Sequence, residues 1–261
     1  MQWHVVYKGA YNQDGSLFFP EKLTHEFLER QKKEQGSYIF SNQYLNEIIP
    51  ADMQTFKKEW FRYYDNLPKN VYNFAFIDPA IGQADTNDYT GVVVVAVDPD
   101  NRWYVRFARR YRITPSQIIS LIFELHKNFN CQGIGIEEVA YQKALLYFLS
   151  DEMKRRMNYL PIKGIKPPTD KTKEMRILAL VPHFEWGRVF LNKGLNDLEL
   201  ELLSFPRGAH DDLIDSLAYI PSIAFSPPPE KQWAKPPAPN HPDYERYYID
   251  QLQKNKNNNE E

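Results

Sequence analysis

The stretch Phe74-Ala75-Phe76-Ile77-Asp78-Pro79 constrains this chain more than any other. Four apolar residues suited to a buried β-strand run directly into an acid, and the proline that follows ends the pairing. A carboxylate is thereby set at the end of a central strand, where burial is costly unless a partner or ligand compensates it. Two later stretches bring further acids. Gly133-Ile134-Gly135-Ile136-Glu137-Glu138 repeats the design, and His210-Asp211-Asp212-Leu213-Ile214-Asp215 places three acids in the first turn of a helix. The three stretches are expected to meet around divalent metal.

The order of elements supports that meeting. Strands are expected over Phe74–Asp78, Gly91–Val97 and Arg102–Ala108, with Asp98-Pro99-Asp100-Asn101 as the turn between the last two. Short connections imply an antiparallel three-strand meander. Thr114 then caps a helix with Pro115 at its first position, and Ile118, Ile119, Ile122, Leu125 and Phe129 give it a buried face. The chain returns in the strand Gly133–Glu137. A helix between two strands favours parallel pairing, which sets Glu137 beside Asp78. A second helix over about Tyr141–Met157 and a strand over Ile162–Lys166 extend the pattern to an α/β fold: a mixed central sheet with helices on both faces. Further on, Met175 to Val181 resumes a helix, Gly187–Asn192 reads as a hairpin strand, and helices cover Leu195–Phe205 and Asp212–Ile223.

Three regions are expected: an N-terminal segment over 1–70, the α/β domain over 71–225 and a proline-rich, flexible tail over 226–261. In the first, Thr24 caps a surface helix that ends near Gly36, Tyr38-Ile39-Phe40 reads as a short strand, and Phe56, Trp60, Tyr63 and Tyr64 fall on one helical face. That aromatic stripe reads as packing. Seven prolines between Pro227 and Pro242, and no apolar residue after Leu252, leave the tail without material for a core.

With 43% hydrophobic residues the chain has material for a sizeable core, and its formal net charge of −2 gives no global attraction to nucleic acid. Basic surface is therefore local. Lys163, Lys166, Lys171, Lys173 and Arg176 surround the turn Pro167-Pro168-Thr169-Asp170, and Arg102 and Arg106 share a parity on one strand, which would turn both to the same side near Asp78. The single cysteine, Cys131, excludes a disulfide framework and a cysteine-ligated zinc site. There is no paired histidine spacing, no Gly-x-Ser-x-Gly elbow and no phosphate-binding loop of the Gly-x-x-x-x-Gly-Lys type. Apolar runs are too short to span a membrane and the start lacks a signal peptide's features, so a cytoplasmic protein is expected.

Mg²⁺ and Mn²⁺ favour oxygen ligands, and two-metal sites use convergent carboxylates for in-line phosphoryl displacement. On this reading Asp78 bridges the ions, Glu137 binds from the neighbouring strand, and Asp212 and Asp215 lie one helical turn apart on a common face. Asp211 points elsewhere. Each acid also has an ordinary alternative: a turn at Asp78, an arginine partner for Glu137, and helix capping for the acids after His210.

Phe76-Ile77-Asp78-Pro79-Ala80, Asp88-Tyr89-Thr90-Gly91, Ile134-Gly135-Ile136-Glu137, Lys171 to Ile177 and His210 to Ala218, in this order, resemble the C-terminal nuclease domain of phage large terminase subunits. The resemblance implies an RNase H-like fold close to that of Holliday-junction resolvases. It implies a metal-dependent endonuclease that cuts concatemeric viral DNA during genome packaging in the host cytoplasm, with Asp78, Glu137 and Asp212 catalytic and Asp215 supporting. Its partners would be double-stranded DNA, the terminase motor domain, the small subunit and the portal. The motor has no counterpart in these 261 residues, so an isolated domain or a split-gene product is expected. A resolvase- or transposase-like nuclease, a sugar-kinase-like phosphotransferase and a non-catalytic DNA-binding assembly module are the competing readings.

Overall fold

The computed structural model describes residues 8–12, 14–46, 55–79, 89–138 and 142–229, together with 242, 244, 245, 247 and 249. The chain divides into two units, Met1–Pro227 and Pro228–Glu261, and the sheet, the cores and the acids belong to the first. Ala80 and Asp88 of the motifs above, and most of the proline-rich stretch, lie outside the described residues.

The meander is present as β2 (Tyr72–Asp78), β3 (Thr90–Val97) and β4 (Trp103–Tyr111), paired antiparallel in that order. Helix α2 (Pro115–Phe129) follows, opened by the expected Thr114 cap, which the structure completes as a capping box with Gln117. It returns the chain to β5 (Cys131–Glu137), which lies parallel to β2 with Ile77 opposite Ile136. After α3 (Gln142–Arg156), β6 (Ile162–Ile165) adds a second parallel partner to β5. The seven-stranded sheet is completed by β1 (Arg62–Tyr63) and β7 (Val189–Leu191), in the order β1-β7-β4-β3-β2-β5-β6.

Alternation along the strands sorts the core into two layers. Ala75, Ile77, Ile134 and Ile136 pack beneath α2 and α3 with Ile118, Ile122, Leu145 and Leu149. Phe74, Phe76, Val93 and Val95 face the other way. They pack with α4 (Lys173–Leu178), α5 (Val181–Glu185), α6 (Asn196–Ser204) and α7 (Asp212–Ala218), through Ile177, Phe184, Leu198 and Leu213. Each fully buried large side chain contributes about 1.5–3 kcal/mol relative to exposure, so both layers stabilise the sheet. By the same alternation Asp78 and Glu137 belong to the α7 face. Gly133 and Gly135 give way to the rings of Phe74 and Phe76, which a Cβ at those glycines would approach to 3.1 and 2.6 Å.

Several local expectations are corrected. Tyr38-Ile39-Phe40 is not a strand but the end of α1 (His25–Phe40), which kinks at Gly36 with φ 76°. A Cβ at Gly36 would crowd Pro182 of α5 at 3.1 Å, and Glu185 accepts the Ser37 N–H at 2.9 Å, so the kink fits α1 against α5. Phe56, Trp60, Tyr63 and Tyr64 share no helix. Phe56 and Phe61 enter the main core on either side of a short 3₁₀ turn, and the chain then forms β1. β7 is no hairpin strand, because it pairs parallel with both β4 and β1. The basic stretch resumes as two short helices, α4 and α5. The last helix ends at Ala218, where Ile220–Ser222 tightens into a 3₁₀ turn containing Pro221. Among the described residues, no helix is long and apolar enough to cross a membrane.

Candidate active site

The register that aligns Ile77 with Ile136 carries β2 and β5 out of the sheet together, ending one on Asp78 and the other on Glu137. The two carboxyl groups share a hydrogen bond, and both residues remain partly exposed. Burial pushes the Asp78 carboxyl up to about 8, reinforced by the hydrogen bond to Glu137 and by the negative charges of Glu137 and Asp215. Asp78 thus keeps its proton first through burial, and further because its neighbours Glu137 and Asp215 are acids.

On its other side Asp78 faces Gly91 of β3. A Cβ there would lie 2.5 Å from the Asp212 carbonyl oxygen and 2.7 Å from Ser216 Oγ, so the absent side chain is what lets α7 settle onto the sheet beside the strand ends. The start of α7 is held by a residue outside the three acid stretches. Glu201 of α6 is 3% exposed, and its Oε2 accepts the N–H groups of Leu213 at 2.8 Å and Ile214 at 3.0 Å. It fills the capping role that the Asp211 side chain does not take. Burial pushes Glu201 up to about 7, against those two hydrogen bonds and the charge of Arg110.

One turn into α7, Asp215 is 3% exposed and turned onto cations. Nη2 of Arg176 reaches both its oxygens, at 2.9 and 3.1 Å, and Lys173 Nζ lies 3.5 Å away. Burial raises Asp215 in spite of Lys173 and Arg176. Burial opposes the charge on Lys173, but its bond to Asp211 at 2.8 Å and the charges of Asp215, Asp211 and Asp78 raise it. Tyr219 closes the cluster. Its hydroxyl donates to Glu137 Oε1 at 2.6 Å, its ring stacks on Phe76, and the Arg176 guanidinium lies 4.4 Å from its centroid.

The structure therefore brings Asp78, Glu137 and Asp215 together, with Lys173 and Arg176 among them. Asp212 Oδ2 lies 3.9 Å from His210 Nδ1. Burial raises its carboxyl, and the charges it feels are those of Lys173, Asp211, His210 and Arg110. Among the expected basic residues, Lys163, Lys166 and Lys171 are exposed, and Lys163 Nζ donates to the Ser222 carbonyl at 3.0 Å. Arg102 and Arg106 are corrected. Arg102 precedes β4 at the far end of the sheet, paired with Asp100 at 3.4 Å. Arg106 lies on the opposite face, over the Phe129 ring of α2 and bonded to Asn73 at 2.9 Å. A register shift at Val94/Val95 changes the parity of β4, so the arginine in line with Asp78 is Arg110, across Gly91. Arg110 and Arg112 flank the Tyr89 ring, whose edge meets His210.

The donors at the strand ends are all carboxylate oxygens, the set that hard divalent cations take. A carboxyl raised by burial and by acidic neighbours, as that of Asp78 is, marks a place where a cation is electrostatically favoured. With Asp215 drawn onto Arg176, no group of three His, Cys, Asp or Glu among the described residues stands ready as a metal cage.

A mixed sheet in this strand order, helices on both faces and acids at the ends of adjacent parallel strands define an RNase H-like protein. The sequence model for the terminase RNase H-like domain matches residues 75–222, and the chain belongs to that family. Similar in fold is the large terminase of a thermophilic bacteriophage, solved in complex with ADP, at 11% identity and a TM-score of 0.55. That similarity covers 76% of this chain and 51% of the phage protein, so this chain spans about half the length of that terminase. The human cytomegalovirus terminase nuclease domain is similar at 13% identity and a TM-score of 0.47, over 62% of this chain and 88% of that one. Thermus thermophilus RuvC in complex with a Holliday junction substrate follows at 15% identity and a TM-score of 0.36, over 56% and 89%. No curated protein matches the chain.

Proposed function

We propose that this chain is a metal-dependent DNA endonuclease that cuts concatemeric viral DNA during genome packaging. The observation that carries the reading is the Asp78–Glu137 carboxyl pair at the ends of adjacent strands, facing Asp215, in a member of the terminase RNase H-like family. Asp78 and Glu137 would hold Mg²⁺ or Mn²⁺, with Asp215 as the third acid once it gives up part of its contact with Arg176. In a two-ion site, such metal supplies activation of the attacking water and stabilisation of the leaving 3′ oxygen.

The remaining residues of the site bind and orient. Lys173 and Arg176 neutralise Asp215, which limits repulsion between the cluster and an incoming phosphate. Exposed Lys163, Lys166 and Lys171 would contact the phosphate backbone without reading sequence, giving affinity that falls steeply with salt. Asp212, 3.9 Å from His210 Nδ1, is read as a secondary acid of the site, behind Asp215. Residues 1–70 would be the connection to a packaging motor, 71–225 the nuclease, and 226–261 a tail for a partner in the packaging machine, with the small subunit and portal as its natural company.

Plasmid cleavage in Mg²⁺ or Mn²⁺ tests the reading. Wild-type protein should nick and linearise DNA, EDTA should stop it, and Asp78→Asn, matched for folding, should reduce it to background. DNA binding without metal-dependent cutting would favour a non-catalytic assembly module.

A further inference from the structure

We propose that Tyr219 is a positioning residue of the metal site, holding Glu137 in the orientation that a cation requires. This inference rests on the metal-dependent reading above. Tyr219 follows the last residue of α7 and is 2% exposed. Its ring lies on that of Phe76, with centroids 4.5 Å apart and planes 7° from parallel, and Phe76 stands two residues before Asp78 on the same face of β2. The ring is therefore indexed to the strand that carries one acid. Its hydroxyl, fixed in turn, donates to Oε1 of Glu137 on the neighbouring strand at 2.6 Å.

The third tie runs through Arg176. Its guanidinium lies 4.4 Å from the Tyr219 centroid, while its Nη2 holds both oxygens of Asp215. One side chain thus touches the strand of Asp78, the carboxylate of Glu137 and the arginine that sets Asp215. A carboxylate at a strand end rotates about its side-chain torsions unless something restrains it, and a charge-assisted O–H donor supplies that restraint. Donors of this kind behind a metal-binding carboxylate typically govern metal affinity by about 10- to 100-fold.

Tyr219→Phe isolates the effect, because it keeps the stack on Phe76 and the face beneath Arg176 and removes a single hydroxyl. Tyr104→Phe is the control. Tyr104 is 7% exposed and its hydroxyl bonds Asp98 at 3.2 Å, so it loses a comparable bond at the far end of the sheet. Mn²⁺ titration calorimetry on the full chain, with thermal midpoints recorded alongside, gives a readout separate from cleavage. Tyr219→Phe should weaken Mn²⁺ binding about tenfold or more. Tyr104→Phe should leave it unchanged, and the KM for DNA should hold in both. Equal Mn²⁺ affinity in Tyr219→Phe and wild type overturns the inference, while the nuclease reading stands if wild type cuts. Equal weakening in both variants also overturns it, since the loss is then general. A wild-type protein that binds no Mn²⁺ overturns the reading and this inference together.

Discussion

The acids on the strands and the acids on the helix carry the same functional group, yet their charge is met in opposite ways. Asp78 is held protonated up to about pH 8 by burial and by its hydrogen bond to Glu137. Asp211 and Asp215 are neutralised by Lys173 and Arg176, at 2.8 and 2.9 Å. The helix arm carries its own cations, whereas the strand arm meets its deficit with a proton that a divalent ion can replace. The proposal that metal binds at the strand arm rests on that asymmetry, and so does the proposal of Asp215, which is paired with Arg176 and acts on Asp78, ahead of Asp212.

The sharpest way to break the comparison is within α7. Asp215→Asn should lower metal-dependent cleavage by about a thousandfold, equivalent to about 4 kcal/mol of barrier, whereas Asp212→Asn should cost less than about tenfold. Initial rates on supercoiled plasmid would measure both, and equal losses would erase the distinction between the acids. Stability offers a second cut. Glu201→Leu removes the buried carboxylate that caps α7 and leaves two N–H groups without their acceptor, so it should lower the free energy of unfolding by about 2–3 kcal/mol in urea titrations. Lys173→Met, which breaks half-exposed pairs of the helix arm, should cost less than about 1 kcal/mol.

The comparison also predicts a pH dependence. In the folded, metal-free protein Asp78 holds its proton to about pH 8, and in the unfolded chain it loses it near 3.8. Between those values the native state binds more protons, so stability declines as pH rises. Glu201, raised from 4.5 to about 7, adds a decline of the same sign that ends lower. Unfolding in EDTA should therefore show a loss of stability between pH 7 and 8 that Asp78→Asn diminishes. A Glu201→Gln variant should instead diminish the loss below pH 7.

The strand-borne part of this site was legible because it is local. An apolar run ending in acid and proline names both a strand and its terminal carboxylate, and repeating the design after one helix implies a parallel neighbour. The helix-borne part was not. Whether Asp212 or Asp215 turns toward the strands depends on how α7 rotates over Gly91, a contact between elements far apart in the chain. Glu201 and Tyr219 carry no motif of their own; each acts through a hydrogen bond to another element. Lys173 and Arg176 sit in a run that reads as basic surface for phosphate contact, and only the packing of α4 on α7 turns them inward. Arg106 was misplaced by the β4 register shift, because one extra residue exchanges the faces of a strand. The fold class survived these local errors because the meander, the α2 crossover and the two-layer pattern of apolar residues are each set by several elements at once.

The most direct test of the central claim is to locate the cation. Crystals soaked in Mn²⁺ and recorded for anomalous scattering should show an ion on the Asp78 and Glu137 carboxylates, with Asp215 released in part from Arg176. Manganese bound instead at Asp211 and Asp212, with Asp78 and Glu137 still bonded to each other, would contradict the account.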